Sequence, residues 1–394
     1  MLTLATAPVF AEDSLAQWSY DQMVTPAGCD DGYDCGNGVG CGSGCGGGGL
    51  LSGMGGGLLE GFSLADTLGV SAFDVGGWTQ FGYHDSLTPQ SAARGDLGSF
   101  NDLPGDLNLH QQYFFLGKQA DGSKGFDLGF RADFMYGTDA QKTQAFGNPA
   151  GSFDEGFDNG VYGWAIPQLY GEVAMGDFSV IIGKFYTLVG YEAVTAPSNF
   201  FYSRALTSFN SEPFTHTGVL TTYTGFEGIT LYNGWTAGWD SGFDSVASGS
   251  NYLGGFSVGL SDSITMTYIN TYGNFGAISQ GENDDYSHSI VFDVNLRNDL
   301  NYVFQTDYKR VGGPVRDEDI SINQYLFYSY NDIIRLGSRI EWWRNDGVSN
   351  YEYTSGVNIQ LLGNLVLRPE FRRDWTPATG FEQDMVACDA ILTY

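Results

Sequence analysis

Between Val75 and Tyr394, apolar and polar residues alternate in runs of about 10, each closed by a break rich in Gly, Asn, Asp or Ser. Sixteen runs can be traced: 75–85, 108–119, 126–136, 165–175, 178–187, 214–225, 227–237, 252–260, 263–272, 285–296, 299–311, 321–330, 332–343, 351–361, 364–374 and 384–394. A period of two sends successive side chains to opposite faces of a strand. In the third run Phe126, Leu128, Phe130, Ala132, Phe134 and Tyr136 share one face, and Asp127, Gly129, Arg131, Asp133 and Met135 share the other. In the thirteenth, Ile334, Leu336, Ile340 and Trp342 oppose Arg335, Arg339 and Glu341. In the fifteenth, Leu365, Leu367 and Phe371 oppose Arg368, Glu370, Arg372 and Asp374.

The breaks alternate short and long. The short ones carry Gly176-Asp177, Gly225-Phe226, Ser261-Asp262, Asn298, Asn331 and Leu362-Gly363, where Asn, Asp and Gly accept the positive φ of tight hairpins. A soluble β-sandwich shows the same alternation but does not call for 16 long strands with asymmetric loops. The pattern predicts an all-β fold, a 16-stranded antiparallel transmembrane β-barrel with both termini on the short-turn, periplasmic side. Only a closed barrel lets strands cross hydrocarbon with every backbone group paired. The function is thereby narrowed to pores, transporters and barrel enzymes.

Composition fits a barrel. Charged residues make up 16% of the 394, below the roughly 25% of soluble domains, and Tyr and Phe number 24 and 28. No apolar run reaches the length of about 18 residues that a transmembrane helix needs. A mean hydropathy of −0.16 suits a greasy outer face averaged with a wet inner one. The net charge of −29 argues against nucleic-acid binding. It would gather cations at a pore mouth, and solvated acidic loops alone also account for it.

The N-terminal region reads differently. Residues 1–11 resemble a truncated signal peptide, with Val9-Phe10-Ala11 before the cut and Glu12 starting the mature chain. Residues 12–74 form a Gly/Cys-rich segment, flexible and periplasmic, with one short helix expected at 63–69. Cys29, Cys35, Cys41 and Cys45 are disulfide candidates with three possible pairings. Zinc fits them less well, because no Cys-x-x-Cys pair occurs. Cys388 sits in the last run as a packing residue.

Chemistry is sparse. His84, His110, His216 and His288 fall on separate strands, and no HExxH or GxSxG motif occurs, so no enzyme, cofactor or metal site is expected. Gly281–Asp285 and Asp317-Glu-Asp319 lack an EF-hand register and read as solvated acidic loops. The third long connection, 188–213, is unusual. It holds Tyr191, Phe200, Phe201, Tyr202 and Phe209, more aromatics than a solvated loop should. Such loops pack against something. An inserted loop would set its Glu192 and Glu212 against inward arginines across a narrow aqueous gap. The positive candidates are Arg131, Arg335, Arg339, Arg368 and Arg372, with Lys184 on a strand apolar on both faces. Pairing of Arg368 with Glu370 or Asp374 is the simpler structural alternative.

The stretch Gly183–Glu192, then Ala196-Pro-Ser-Asn-Phe-Phe-Tyr202 and Glu212–Leu220, resembles the OmpL-like putative β-barrel porin-2 family over roughly 75–394. The final strand, with Val386, Cys388, Ala390, Leu392 and Tyr394 on one face, resembles the C-terminal recognition strand of bacterial outer-membrane proteins. The resemblance implies an outer-membrane porin. Its partners would be outer-membrane lipid, ions and small hydrophilic solutes, with a homotrimer by porin analogy. A plugged barrel serving as envelope anchor or adhesin is the rival reading, and an outer-membrane enzyme the third.

Overall fold

The computed structural model describes residues 63–64, 68, 73–85, 100–145, 153–154, 156, 158–244, 247–279, 284–312 and 317–394. The signal-peptide reading and Cys29, Cys35, Cys41 and Cys45 lie outside them. Of the helix expected at 63–69, Ser63, Leu64 and Leu68 are described; the two leucines are helical and Ser63 is not.

Seventeen strand segments join in one antiparallel sheet that closes on itself. Two segments share one position, so the barrel has 16 staves. They are β1 (Asp74–His84), β2 (Asn108–Lys118), β3 (Asp127–Gly137), β4 (Gly163–Ala165 and Leu169–Met175), β5 (Phe178–Tyr186), β6 (Thr215–Phe226), β7 (Ile229–Trp239) and β8 (Ser250–Ser261). Then follow β9 (Ile264–Asn274), β10 (Asp285–Arg297), β11 (Leu300–Val311), β12 (Asp317–Ser329), β13 (Ile334–Asn345), β14 (Val348–Leu362), β15 (Leu365–Thr376) and β16 (Phe381–Thr393). Each pairs with its neighbours in sequence. The seam is β1 on β16, from Trp78 opposite Thr393 to His84 opposite Ala387. The closure leaves no free edge.

The expected faces are the observed faces. Phe130 and Phe134 of β3, Leu336 and Ile340 of β13 and Val386 of β16 are exposed on the outside. Arg131, Asp133, Arg339, Glu341, Arg368 and Arg372 are buried within. Large apolar side chains outside and charges inside invert a soluble protein, as a barrel in lipid requires.

Four details differ from the sequence reading. Both pieces of β4 pair with β3, but Ile166-Pro-Gln168 between them leaves the regular ladder, keeping the backbone bond from the Asp133 N–H to Gln168 O at 2.9 Å. Pro167 has no N–H to give the ladder. The β6–β7 turn lies at Glu227-Gly228 and not at Gly225-Phe226, because Gly228 supplies the positive φ of 68°. The β13–β14 connection shrinks to Asp346-Gly347, with φ of 46° and 89°. Asp-Gly in that conformation is a strong hairpin signal, so the long-loop rim is long mainly in its first half. Asp317-Glu-Asp319 opens β12, and its two aspartates hold Lys309 at 2.9 and 2.6 Å.

Candidate functional site: the lumen and its inserted loop

After β5 the chain leaves the wall and crosses the lumen as a loop, residues 187–214. Inward-facing wall residues bind its backbone. Glu370 of β15 accepts from the Tyr202 and Ser203 N–H groups at 2.8 and 3.1 Å. Glu341 of β13 accepts from the Leu206 and Thr207 N–H groups at 2.6 and 2.7 Å, and from the Thr207 hydroxyl. These two N–H groups open a short helix, Leu206–Asn210, whose first donors have no partner within the helix.

The arginines do the converse and donate to loop carbonyls. Arg368 Nη1 reaches Ala196 O at 3.0 Å and Asn199 O at 2.5 Å. Arg372 Nη1 reaches Arg204 O at 2.5 Å, and Arg339 Nη1 reaches Ser203 O at 3.1 Å. Gln111 of β2 completes the cradle with Val194 O and the Ala196 N–H. Beyond the helix, Lys309 donates to Asn210 O and Ser211 Oγ donates to Asp319.

Each of these arginines also has a carboxylate. Arg339 contacts Glu352 at 2.8 Å and loop Glu192 at 2.6 Å. Arg368 pairs with Asp389, its cross-strand partner on β16, and Arg372 pairs with Asp374. Charge-assisted bonds of this kind are the stronger class, and leaving one partner alone in a buried site is costly.

The loop aromatics fill sockets cut by wall glycines. A Cβ on Gly82 would stand 2.7 Å from the Tyr202 ring, and one on Gly337 would collide with the Phe200 ring. The Tyr202 hydroxyl lies 2.5 Å from His110 Nε2 and 3.3 Å from His84 Nδ1, while its ring packs on Met385 and Ala387. Burial pushes its ionisation well up, so it remains a hydroxyl. Phe201 joins Val291, Val303, Tyr325 and Phe327, against which Tyr191 also packs. Phe209 packs edge-on against Phe100. Burying such a ring is worth on the order of 1.5–3 kcal/mol.

The loop's other face borders open space. A cavity of about 740 Å³ lies at the short-turn rim, among Asn298, Asn331, Asn364 and loop residues Pro197–Phe200. A narrower one of about 200 Å³ lies between the loop and β4–β10. Tyr191 and Ser198 line both.

The predicted site residues therefore fall into separate settings. Arg339, Arg368 and Arg372 meet the loop in direct contact and not across an aqueous gap. Arg368 does not pair with Glu370 or Asp374. Glu192 faces an arginine, whereas Glu212 has an amide partner among the described residues. It accepts from Gln305 at 2.5 Å, and burial beside Asp307 pushes it well above the usual carboxylate range. Arg131 pairs with Asp133 and lies over the Phe115 ring at 4.2 Å. Arg335 has no carboxylate in ion-pair reach among the described residues; it lies over Phe200 and lines the wider cavity. Lys184 is not in the lumen. It stands opposite Thr217, which shares the outward parity of exposed Val219, and is buried beneath Asp154 and the Phe153 ring. Reading the sequence for cations missed Glu341 and Glu370, although their parity with the arginines placed them inside.

The family model described as putative beta-barrel porin-2, OmpL-like, matches residues 72–390. No curated protein matches the sequence. Among solved structures, the anion-selective porin from Comamonas acidovorans is 11% identical, with a TM-score of 0.56 over 82% of this chain and 99% of its own. OmpT of Vibrio cholerae, in a trimer form, is 10% identical, with a TM-score of 0.55 over 82% and 99%. The outer membrane channel DcaP of Acinetobacter baumannii is 10% identical, with a TM-score of 0.55 over 82% and 97%. At such identities the likeness is one of fold.

Proposed function

The chain belongs to the OmpL-like putative β-barrel porin-2 family, and from that premise we propose that it is a passive diffusion channel of the outer membrane. It passes ions and small hydrophilic solutes, and the loop 187–214 sets the bore. The observation that carries this reading is the pair of cavities left beside the loop, which share Tyr191 and Ser198 in their walls. Transport of this kind needs a lumen and a constriction, with no chemistry. The strand–turn rhythm supports placing the short-turn rim, and both termini, in the periplasm. The trimer form of the Vibrio cholerae neighbour supports a homotrimer here.

Purified full-length protein in a planar bilayer tests the reading. Stepwise ionic conductance is expected. A folded protein with heat-dependent electrophoretic mobility but no conductance would instead be a plugged anchor. The loop's many wall contacts give that second reading its support.

A further inference from the structure

The narrower cavity is made of unusual material for a path taken by hydrophilic solutes. Its wall side presents Ile181, Leu220, Ile269 and Val291 and the rings of Phe185 and Tyr232. All lie on inward-facing positions of β5, β6, β7, β9 and β10, where a water-filled bore calls for polar groups. Leu188 and Val189 close it from the loop side. Among the described residues no Lys, Arg or His lines it, while Glu172, Glu192 and Glu212 do. Those carboxylates already have donors: the Ala120 N–H, Arg339 and Gln305. The cavity thus offers apolar surface and oxygen acceptors and, among the described residues, no cation for an anion to meet.

Size defines the occupant further. An apolar protein cavity of about 150 Å³ stays dry and takes up benzene. A space of about 200 Å³ holds one ring and a short arm. We propose that this cavity is a binding subsite for small ring-bearing solutes without negative charge, best of all a ring carrying a primary amine. The proposal rests on the channel reading and names the solute class of that same path. Ring and wall remove apolar surface from water together, and the amine meets acceptors at the acidic rim. A carboxylate on the same ring would have to lose its water with no donor in exchange.

The test uses the full-length protein in detergent and three probes: benzylamine, methylamine and benzoate. Calorimetry reads binding, and block of KCl current in a bilayer reads position in the path. Benzylamine should bind and block at concentrations on the order of tenfold lower than either other probe. The double variant Leu220→Asn, Ile269→Asn should lose that preference while keeping heat-dependent mobility. Equal effects of benzylamine and methylamine would show that the apolar wall is not used and would overturn the proposal. Equal effects of benzylamine and benzoate would overturn it as well. Selective binding of benzylamine by a protein that passes no current would uphold the subsite and refute the channel. Current without selective binding would do the reverse.

Discussion

The two sides of the lumen are built from opposite materials. On β13, β15 and β16 the wall carries Arg339, Glu341, Arg368, Glu370, Arg372 and Asp389, every one bonded to the loop or to a residue that is. On β5, β6 and β9 it carries Ile181, Leu220 and Ile269, and they face the open passage. The lesson is that charge inside this barrel serves construction. The arginines that sequence parity marks as a selectivity filter are largely consumed in holding the loop, and the narrower cavity lies on the side where none of the described lining residues is an arginine.

This contrast can be broken most strongly by removing what the charged side holds. Deleting residues 196–208 should raise single-channel conductance severalfold, provided heat-dependent mobility shows a folded barrel. Unchanged conductance would mean that the loop does not set the bore. Next comes the anchor itself. Arg339→Ala leaves Glu192 and Glu352 buried without their shared cation, a loss of about 3–5 kcal/mol. A lower unfolding midpoint and noisier current should follow, whereas an unchanged midpoint would detach the ion pair from loop anchoring.

Smaller effects sharpen the comparison. Gly82→Ala forces the Tyr202 ring to shift, at about 1–3 kcal/mol; thermal melts that match the parent would mean that the socket yields freely. Arg335→Gln removes the cation that lines the wider cavity without a carboxylate partner. Reversal potentials should move modestly toward cation preference, most at low salt where screening is weakest. Lys184→Met, on the outward face, should leave reversal potentials where they are. A larger shift from Lys184→Met than from Arg335→Gln would put the conducting path elsewhere.

Much of this was readable before any coordinates. Strand faces follow from period two, so Phe130 and Arg131 sort outward and inward without a structure. The aromatic content of 188–213 already argued for burial. Partner identity did not follow. Arg368 meets Asp389 because the register sets those two residues opposite each other on β15 and β16, and register is a property of two strands together. Arg372 and Asp374, two apart on one strand, share a face by parity alone. Lys184 was ambiguous because β5 is apolar on both faces, so alternation gave no sign of which way it points. Parity puts Glu341 and Glu370 inside but gives no sign that they hold the loop, because their ligands are backbone N–H groups, which every residue but proline carries and no motif records.

The Tyr202 socket has a consequence for the order of assembly. Gly82 and His84 come from the first stave, His110 from the second, and Met385 and Ala387 from the last. Asp389 likewise joins Gln80 of the first stave at 2.6 Å to Arg368 beneath the loop. Neither receptor is complete while the ends of the chain are apart. Full docking of the loop, made midway through synthesis, therefore requires the closed ring, although its anchors on β13 and β15 do not.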